Sequence, residues 1–177
     1  PRICQTPLAP SMLIAMPGMD DGFFARSVIL LVEHGQEGAG GVVLNRVAPL
    51  DLDTLLKSTG LDSAPSGPHP VWVGGPVSPQ AGLVLYLDEG GKRYDHDIEV
   101  LPGLRLSASL SVLRDVAAGK GPRTFGLYLG RAGWGSGPAG RRTGQRCLAD
   151  HRTRPCAAFL HRWRRGVAAR ARRVRHR

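Results

Sequence analysis

The chain has 177 residues, 42% of them hydrophobic, which suits one soluble globular domain with a sizeable core, and no run approaches the roughly 18 apolar residues of a membrane-spanning helix. Its formal charge of +10 is unevenly placed: residues 1–135 carry 11 Lys and Arg against 13 Asp and Glu, a net of −2, whereas residues 136–177 carry 13 against one, a net of +12. The body therefore lacks the basic surface that the whole-chain charge suggests, and the three cysteines (Cys4, Cys147, Cys156), an odd number without CxxC spacing, give neither a zinc site nor a disulfide framework, so a reducing, cytoplasmic compartment is expected.

Residues 1–10, with scattered prolines, read as an irregular lead-in, and because Pro1 is not an initiator residue a preceding segment is expected. SMLIAM predicts a first buried strand stopped by Pro17 and Gly18. In MDDGFFARS, Asp20 and Asp21 precede an aromatic pair and Arg26. That order suits a short helical turn whose N-terminus the carboxylates stabilise, or else a paired-carboxylate site for a cation or for acid/base work. Val28 to Val32 has no polar interruption and predicts a strand covered on both faces. The glycine-rich GQEGAGG then reverses the chain into a second strand, Gly41 to Leu44, forming a hairpin. Glu33 and His34 end the first strand, and Asn45 and Arg46 end the second, so the hairpin is expected to bring the four towards strand-end positions of the kind that line clefts. As chain neighbours, Glu33 and His34 point to opposite sheet faces. Local ion pairing among Glu33, Arg26 and Arg46 is the plainer alternative to a site.

Asp51 caps LDTLLKSTG, a short amphipathic helix with Leu52, Leu55 and Leu56 inward. Residues 61–70 read as a loop, Val71 to Val73 as a strand, and GGPVSPQ as a turn whose Gly74 and Gly75 are candidates to present backbone N–H groups to an anion. Leu83 to Leu87 is the next strand; residues 88–97 are charged and turn-like, with His96 between Asp95 and Asp97 read as solvated and not as a metal ligand. Leu104 to Leu106 extends a strand, Ser107 or Ser109 caps a helix with Leu110, Leu113 and Ala117 on one face, and Arg123 to Gly130 is the last strand, leading to Ala132, Gly133, Trp134 and Gly135.

Several of these stretches together resemble a known family. LAPSMLIAMPGMDDGFFARSVILLVEHGQEGAGGVVLNR, VWVGGPVSPQAGLVLYL, GLRLSASLSVLRDVAAGKGP and RAGWGSG are similar, in order and spacing, to the AlgH/YqgE family over residues 8–137. The resemblance implies a single α+β domain with a mixed, partly barrel-like sheet and a few short helices, an uncertain or transcriptional regulatory role, and no established reaction. Tyr86 stands where many family members carry histidine, which weakens any chemistry carried over through that position.

No GxSxG, HExxH, SxxK or Walker lysine loop is present, which lowers the odds of an enzyme. Gly135, Gly137 and Gly140 fit GxGxxG by spacing only, since no apolar helix or acidic partner follows, and Cys147 near Asp150 and His151 lies in the least family-like part of the chain. From about residue 137 the sequence departs from the family. Two readings stand for the arginine-rich tail, residues 136–177. Read one base out of frame, with the free codon bases chosen, Pro138 to Phe159 permits QLEAELANAAWLTIEPDPALLF, which is strongly family-like. Taken literally, Phe159, Trp163 and Val167 recur at helical spacing among arginines, a basic helix able to bind phosphates without sequence specificity. Either origin leads to the expectation of a poorly packed extension.

The expected core is Leu13, Ile14, Val28 to Val32, Val42 to Leu44, Val71, Val73, Leu83 to Leu87, Leu110, Leu113 and Leu127. The function favoured is non-enzymatic binding or regulation through a surface of Asp20, Asp21, Arg26, Glu33, His34, Asn45, Arg46, Gly74 and Gly75. The alternative is an enzyme acting on a small polar ligand through Asp21, Arg26, Glu33, His34 and Asn45. No cofactor or metal is implied. The expected partners are a protein or a small molecule, with self-association, and with nucleic acid held non-specifically through the tail if at all.

Overall fold

The computed structural model describes residues 9–15, 18, 22–62 and 69–136, together with 161, 163 and 165. In chain order its elements are β1 (Ser11–Ile14), β2 (Val28–Gly35), β3 (Gly38–Val43), β4 (Val47–Asp51), α1 (Leu52–Ser58), β5 (Pro70–Val73), β6 (Val77–Leu87), β7 (Ile98–Leu101), β8 (Leu104–Ser107), α2 (Leu110–Ala117) and β9 (Phe125–Gly135). The strands form one curled, half-barrel sheet in the order β1-β2-β3-β9-β6-β8-β7, with β4 and β5 branching from β9. The pairing of β5 with β9 is parallel and the other pairings are antiparallel, so the sheet is mixed and the fold is α+β.

Alternation accounts for the apolar runs. Along β2, Leu30 packs with Met12, Val42, Leu85 and Tyr128 on one face, while Ile29 and Leu31 pack with Leu13, Phe24, Val43 and Trp134 on the other. A strand buried on both faces can carry no polar residue, which is why Val28 to Val32 has none. β6 divides likewise, Leu85 going to the first face and Val84 and Tyr86 to the second, where the helices cover it through Leu52, Leu56, Val112, Leu113 and Val116. Asp51 caps α1 by accepting from the Thr54 amide at 2.9 Å, and Ser109 caps α2 by accepting from the Ser111 amide at 3.2 Å. Two residues expected in the core are outside it: Ile14 ends the edge strand β1 and is 45% exposed, and Leu110, the first residue of α2, is 60% exposed, although Leu113 and Ala117, further along the same helical face, are buried.

β9 is the hinge of the architecture. Its first half pairs with β6 and, through Leu127–Leu129, with β5; its second half pairs with β3. Leu127 and Leu129 join the helix-covered cluster, Tyr128 the opposite one, and then Ala132 and Trp134 return to the face of Leu127. Odd numbers give way to even because Gly130 sits at φ +73°, inserting a kink that shifts the alternation by one residue. Beside this kink the Gly74–Gly75 backbone lies against β9: the Gly74 amide donates to Leu129 O at 2.7 Å, and a Cβ on Gly75 would stand 2.0 Å from the Arg131 carbonyl carbon. These two glycines are thus buried packing elements with the Gly74 N–H already spent, and the expected anion-binding turn is not formed. Gly75→Ala is expected to cost on the order of 3 kcal/mol in chemical denaturation, because backbone and not a movable side chain blocks the methyl.

Candidate functional site

Of the nine residues singled out in the sequence, the seven that the structure describes do not converge. Asp20 and Asp21 lie outside the described residues. At the start of β2, Asn45 holds the incoming turn: its Oδ1 accepts from the Val28 amide at 2.9 Å and its Nδ2 donates to the Arg26 carbonyl at 2.8 Å. Arg46 donates from Nη2 to the Phe23 carbonyl at 2.5 Å, and its guanidinium lies 4.6 Å from the centroid of the Phe23 ring. Arg26 itself adopts φ 58°, a left-handed conformation fixed by these contacts. Glu33 and His34 are at the far end of β2, roughly 17 Å further along the strand. An antiparallel hairpin sets the end of its first strand beside the start of its second, so the expectation that it gathers all four strand-end residues is corrected by topology. The ion pair expected among Glu33, Arg26 and Arg46 is replaced by one between Glu33 and Arg131, at 3.7 Å and well exposed.

Around Glu33 the structure does form a recess of about 550 Å³, bordered by the β2–β3 turn, Val77 and the end of β9. Register explains its floor. Glu33, Gly40 and Gly133 form one row across β2, β3 and β9, and Gly35, Gly38 and Gly135 form the next. Both rows share a face, so a patch three strands wide consists of bare backbone crossed by the Glu33 side chain. That carboxylate lies over Gly40, where a Cβ would meet Glu33 Oε1 at 2.3 Å. His34 stands at the rim, and Arg131 closes one side.

A second polar group was not anticipated. Arg105, 6% exposed, grips Asp97 through Nε (2.9 Å) and Nη2 (2.7 Å), and the Tyr86 hydroxyl donates to the same carboxylate at 2.5 Å. The Arg105 guanidinium and then the Tyr86 hydroxyl hold the Asp97 carboxyl well below the usual carboxylate range, against burial; burial and then the Asp97 carboxylate push the Tyr86 hydroxyl well up. Neighbouring Tyr94 is pushed up to about 12 by burial and by Asp115. The available signal was the alternation Leu104–Arg105–Leu106, which puts an arginine among buried positions. With every carboxylate oxygen engaged, the group pins β7 and β8 to β6 and leaves no site for a ligand. His96, beside it, is exposed in a turn at φ 58°. Among the described residues no three His, Cys, Asp or Glu side chains are grouped to hold a metal ion.

Trp163 departs from the expected loose tail. It is buried, 7% exposed, and its Nε1 donates to the Tyr128 hydroxyl at 3.1 Å on the face of Leu30 and Leu85.

Comparison with known proteins places these features in a family. A model described as AlgH-like matches residues 12–138. A UPF0301 protein of Xanthomonas campestris pv. campestris is 40% identical over 137 residues, covering 76% of this chain and 72% of its own, and one of Burkholderia ambifaria is 42% identical over 132 residues, covering 73% and 69%. Among solved structures, the AlgH protein of Pseudomonas aeruginosa has a TM-score of 0.69 at 34% identity, covering 88% of this chain and 82% of that one. Protein DIP2367 of Corynebacterium diphtheriae, with a TM-score of 0.64 at 21% identity and coverages of 87% and 80%, shares the fold.

The Asp97 geometry sets an acid limit. Its carboxyl is depressed in the folded state, so its stabilisation is present above the unfolded carboxylate value of about 3.9 and is lost as pH falls through the lower folded value. Asp97→Asn is expected to lower Tm on the order of 10 °C at pH 7 by leaving the buried Arg105 with only the exposed Glu99 carboxylate, 4.0 Å from its Nη1, as a counter-charge, and the gap to the parent should narrow steadily from pH 4 downwards in thermal melts.

Proposed function

The chain belongs to the AlgH-like family, and we propose that it is a non-enzymatic binding protein whose ligand enters the recess between the β2–β3 turn and the end of β9. The observation that carries this reading is the floor. Gly35, Gly133 and Gly135 have no positive φ, and an added Cβ would meet nothing within 4 Å at Gly35 and Gly135 and only Val77 Cγ2, at 3.6 Å, at Gly133. Folding does not require glycine there, and glycine in a strand costs roughly 0.5–1 kcal/mol each relative to alanine. A bare floor is useful to a molecule that must approach the backbone. The volume, about 550 Å³, suits a small molecule, and Glu33 and Arg131 offer it an acceptor and a cationic donor at one edge.

The enzyme alternative needed Asp21, Arg26, Glu33, His34 and Asn45 to act together. Arg26 and Asn45 stand at the other end of β2, where Asn45 is spent on the Val28 amide and the Arg26 carbonyl, so they are too far from Glu33 and His34 to act with them in general acid/base work. Any regulatory role then runs through this ligand or a protein that reads it, in the cytoplasm, and not through sequence-specific contact of the body with DNA: net charge −2 over residues 1–135 releases no counterions, and α1 and α2 are separated by four strands and form no helix-turn-helix. No described helix is long and apolar enough to cross a membrane.

Gly135→Leu would fill the recess without disturbing the fold. In a fragment screen by NMR on the full chain, saturable shifts are expected at residues 33–40 and 131–135, with at least tenfold weaker binding in Gly135→Leu at unchanged Tm; hits confined to other surfaces would sink the proposal. Nucleic-acid binding by the full chain should be indifferent to sequence and fall with salt at a log–log slope near −0.9 per phosphate neutralised, as measured by titration at several salt concentrations. A defined sequence held at physiological salt by the chain with its tail arginines replaced by glutamine would overturn that.

A further inference from the structure

We infer that the sheet face around Tyr128 carries a socket for a flat aromatic ring bearing an N–H donor, which Trp163 occupies from within the chain. The socket's parts come from the family-matched body: Tyr128 and Gly126 on β9, and Trp72 on β5, whose ring lies nearly parallel to that of Tyr128 with centroids 6.3 Å apart. The occupant comes from beyond residue 138, where the family match ends. Socket and plug are thus separable in the sequence.

Room for the ring is made at Gly126. A Cβ there would lie 3.1 Å from Tyr128 Cε2, crowding that ring, and 3.5 Å from Trp163 Cζ2, in ordinary contact, so a side chain longer than alanine's would compete with the indole for the same space. Tyr128 is fully buried, and its hydroxyl oxygen accepts from the indole N–H, which can only donate. Take the indole away and that oxygen is left inside the sheet without its donor, which penalises an empty socket and equally one filled by a ring that lacks N–H. The chemistry selected is therefore that of an indole or similar fused N–H heteroaromatic. Two sources supply it: a free small molecule, or a tryptophan side chain from this chain or from a partner. The inference is independent of the recess, which lies at the other end of β9.

The test uses the full chain carrying Trp163→Ala, titrated with indole, with indene as the same shape without N–H, and with a short tryptophan-containing peptide. Indole is expected to raise Tm saturably, by roughly 3–6 °C at ten times its Kd, and to shift the Gly126 and Tyr128 amide resonances. Indene should bind at least tenfold more weakly, and the parent chain, its socket full, should respond to neither. Should Trp163→Ala fail to fold, indole present during refolding is expected to restore the β-rich circular dichroism. Binding of indole alone points to a free ligand, and binding of the peptide alone to a partner; both support the socket. Failure of every ring compound to bind or to rescue, or equal binding of indole and indene, overturns it.

Discussion

The close approach of the Gly74–Gly75 backbone to β9 at Gly130 is the constraint on which the rest of the structure depends. Here β5, β6, β3 and β9 meet within a few residues: Gly74 donates to Leu129 O and accepts from the Val43 amide at 2.8 Å, while a Cβ on Gly130 would lie 2.3 Å from Gly75 O. Side chains would hold the backbones apart and break both bonds. Because the seam is closed by main chain alone, β9 can serve β5 and β6 with its first half and β3 with its second, and the curled sheet is continuous across the join.

The kink at Gly130 also decides what the surface offers. By shifting the alternation it returns Trp134 to the core beside Phe24, with ring centroids 5.7 Å apart, and turns Arg131, Gly133 and Gly135 outward. β2 makes the matching adjustment, its register slipping between Leu31 and Glu33. Two strands that are apolar on both faces thereby end in a face paved with glycine and edged by Glu33 and Arg131. Further back along β9, before the kink, Tyr128 still faces the opposite cluster, where Trp163 caps it. Recess and socket are consequences of one strand read on either side of a single left-handed residue.

The buried Asp97–Arg105 pair plays a different part. Its charge-assisted bonds are geometrically complete, which makes it costly to break and of little use to a ligand. It fixes the β7–β8 hairpin against β6 in a region whose chain segment, residues 88–97, is mostly polar and exposed apart from the buried Tyr94. Tyr86 contributes a donor to this pair, and its role here is structural.

Local chemistry was enough to determine much of the fold. Uninterrupted apolar runs at β2 and β6, the Asp51 cap and the leucine stripe of α1 are written in neighbouring residues, although pairing carries both strands past those runs, β2 to Gly35 and β6 back to Val77, within the stretch expected as a turn. β4 and β7 were not legible, because each is short and exists through its partner, Val47 beside Trp72 and Ile98 beside Leu106. The candidate site was legible only as a list of residue types. Glu33 and His34 do border a recess, but Arg131, which completes it, is 98 residues away in the chain, and Asn45 and Arg46, close in sequence, are spent on backbone carbonyls and amides at the other end of the strand. Side-chain period and capping chemistry depend on a few residues at a time and can be read from the sequence; which strand ends meet, and which face a residue takes after a kink, depend on long-range pairing and on a single positive φ, and those only the tertiary structure decided.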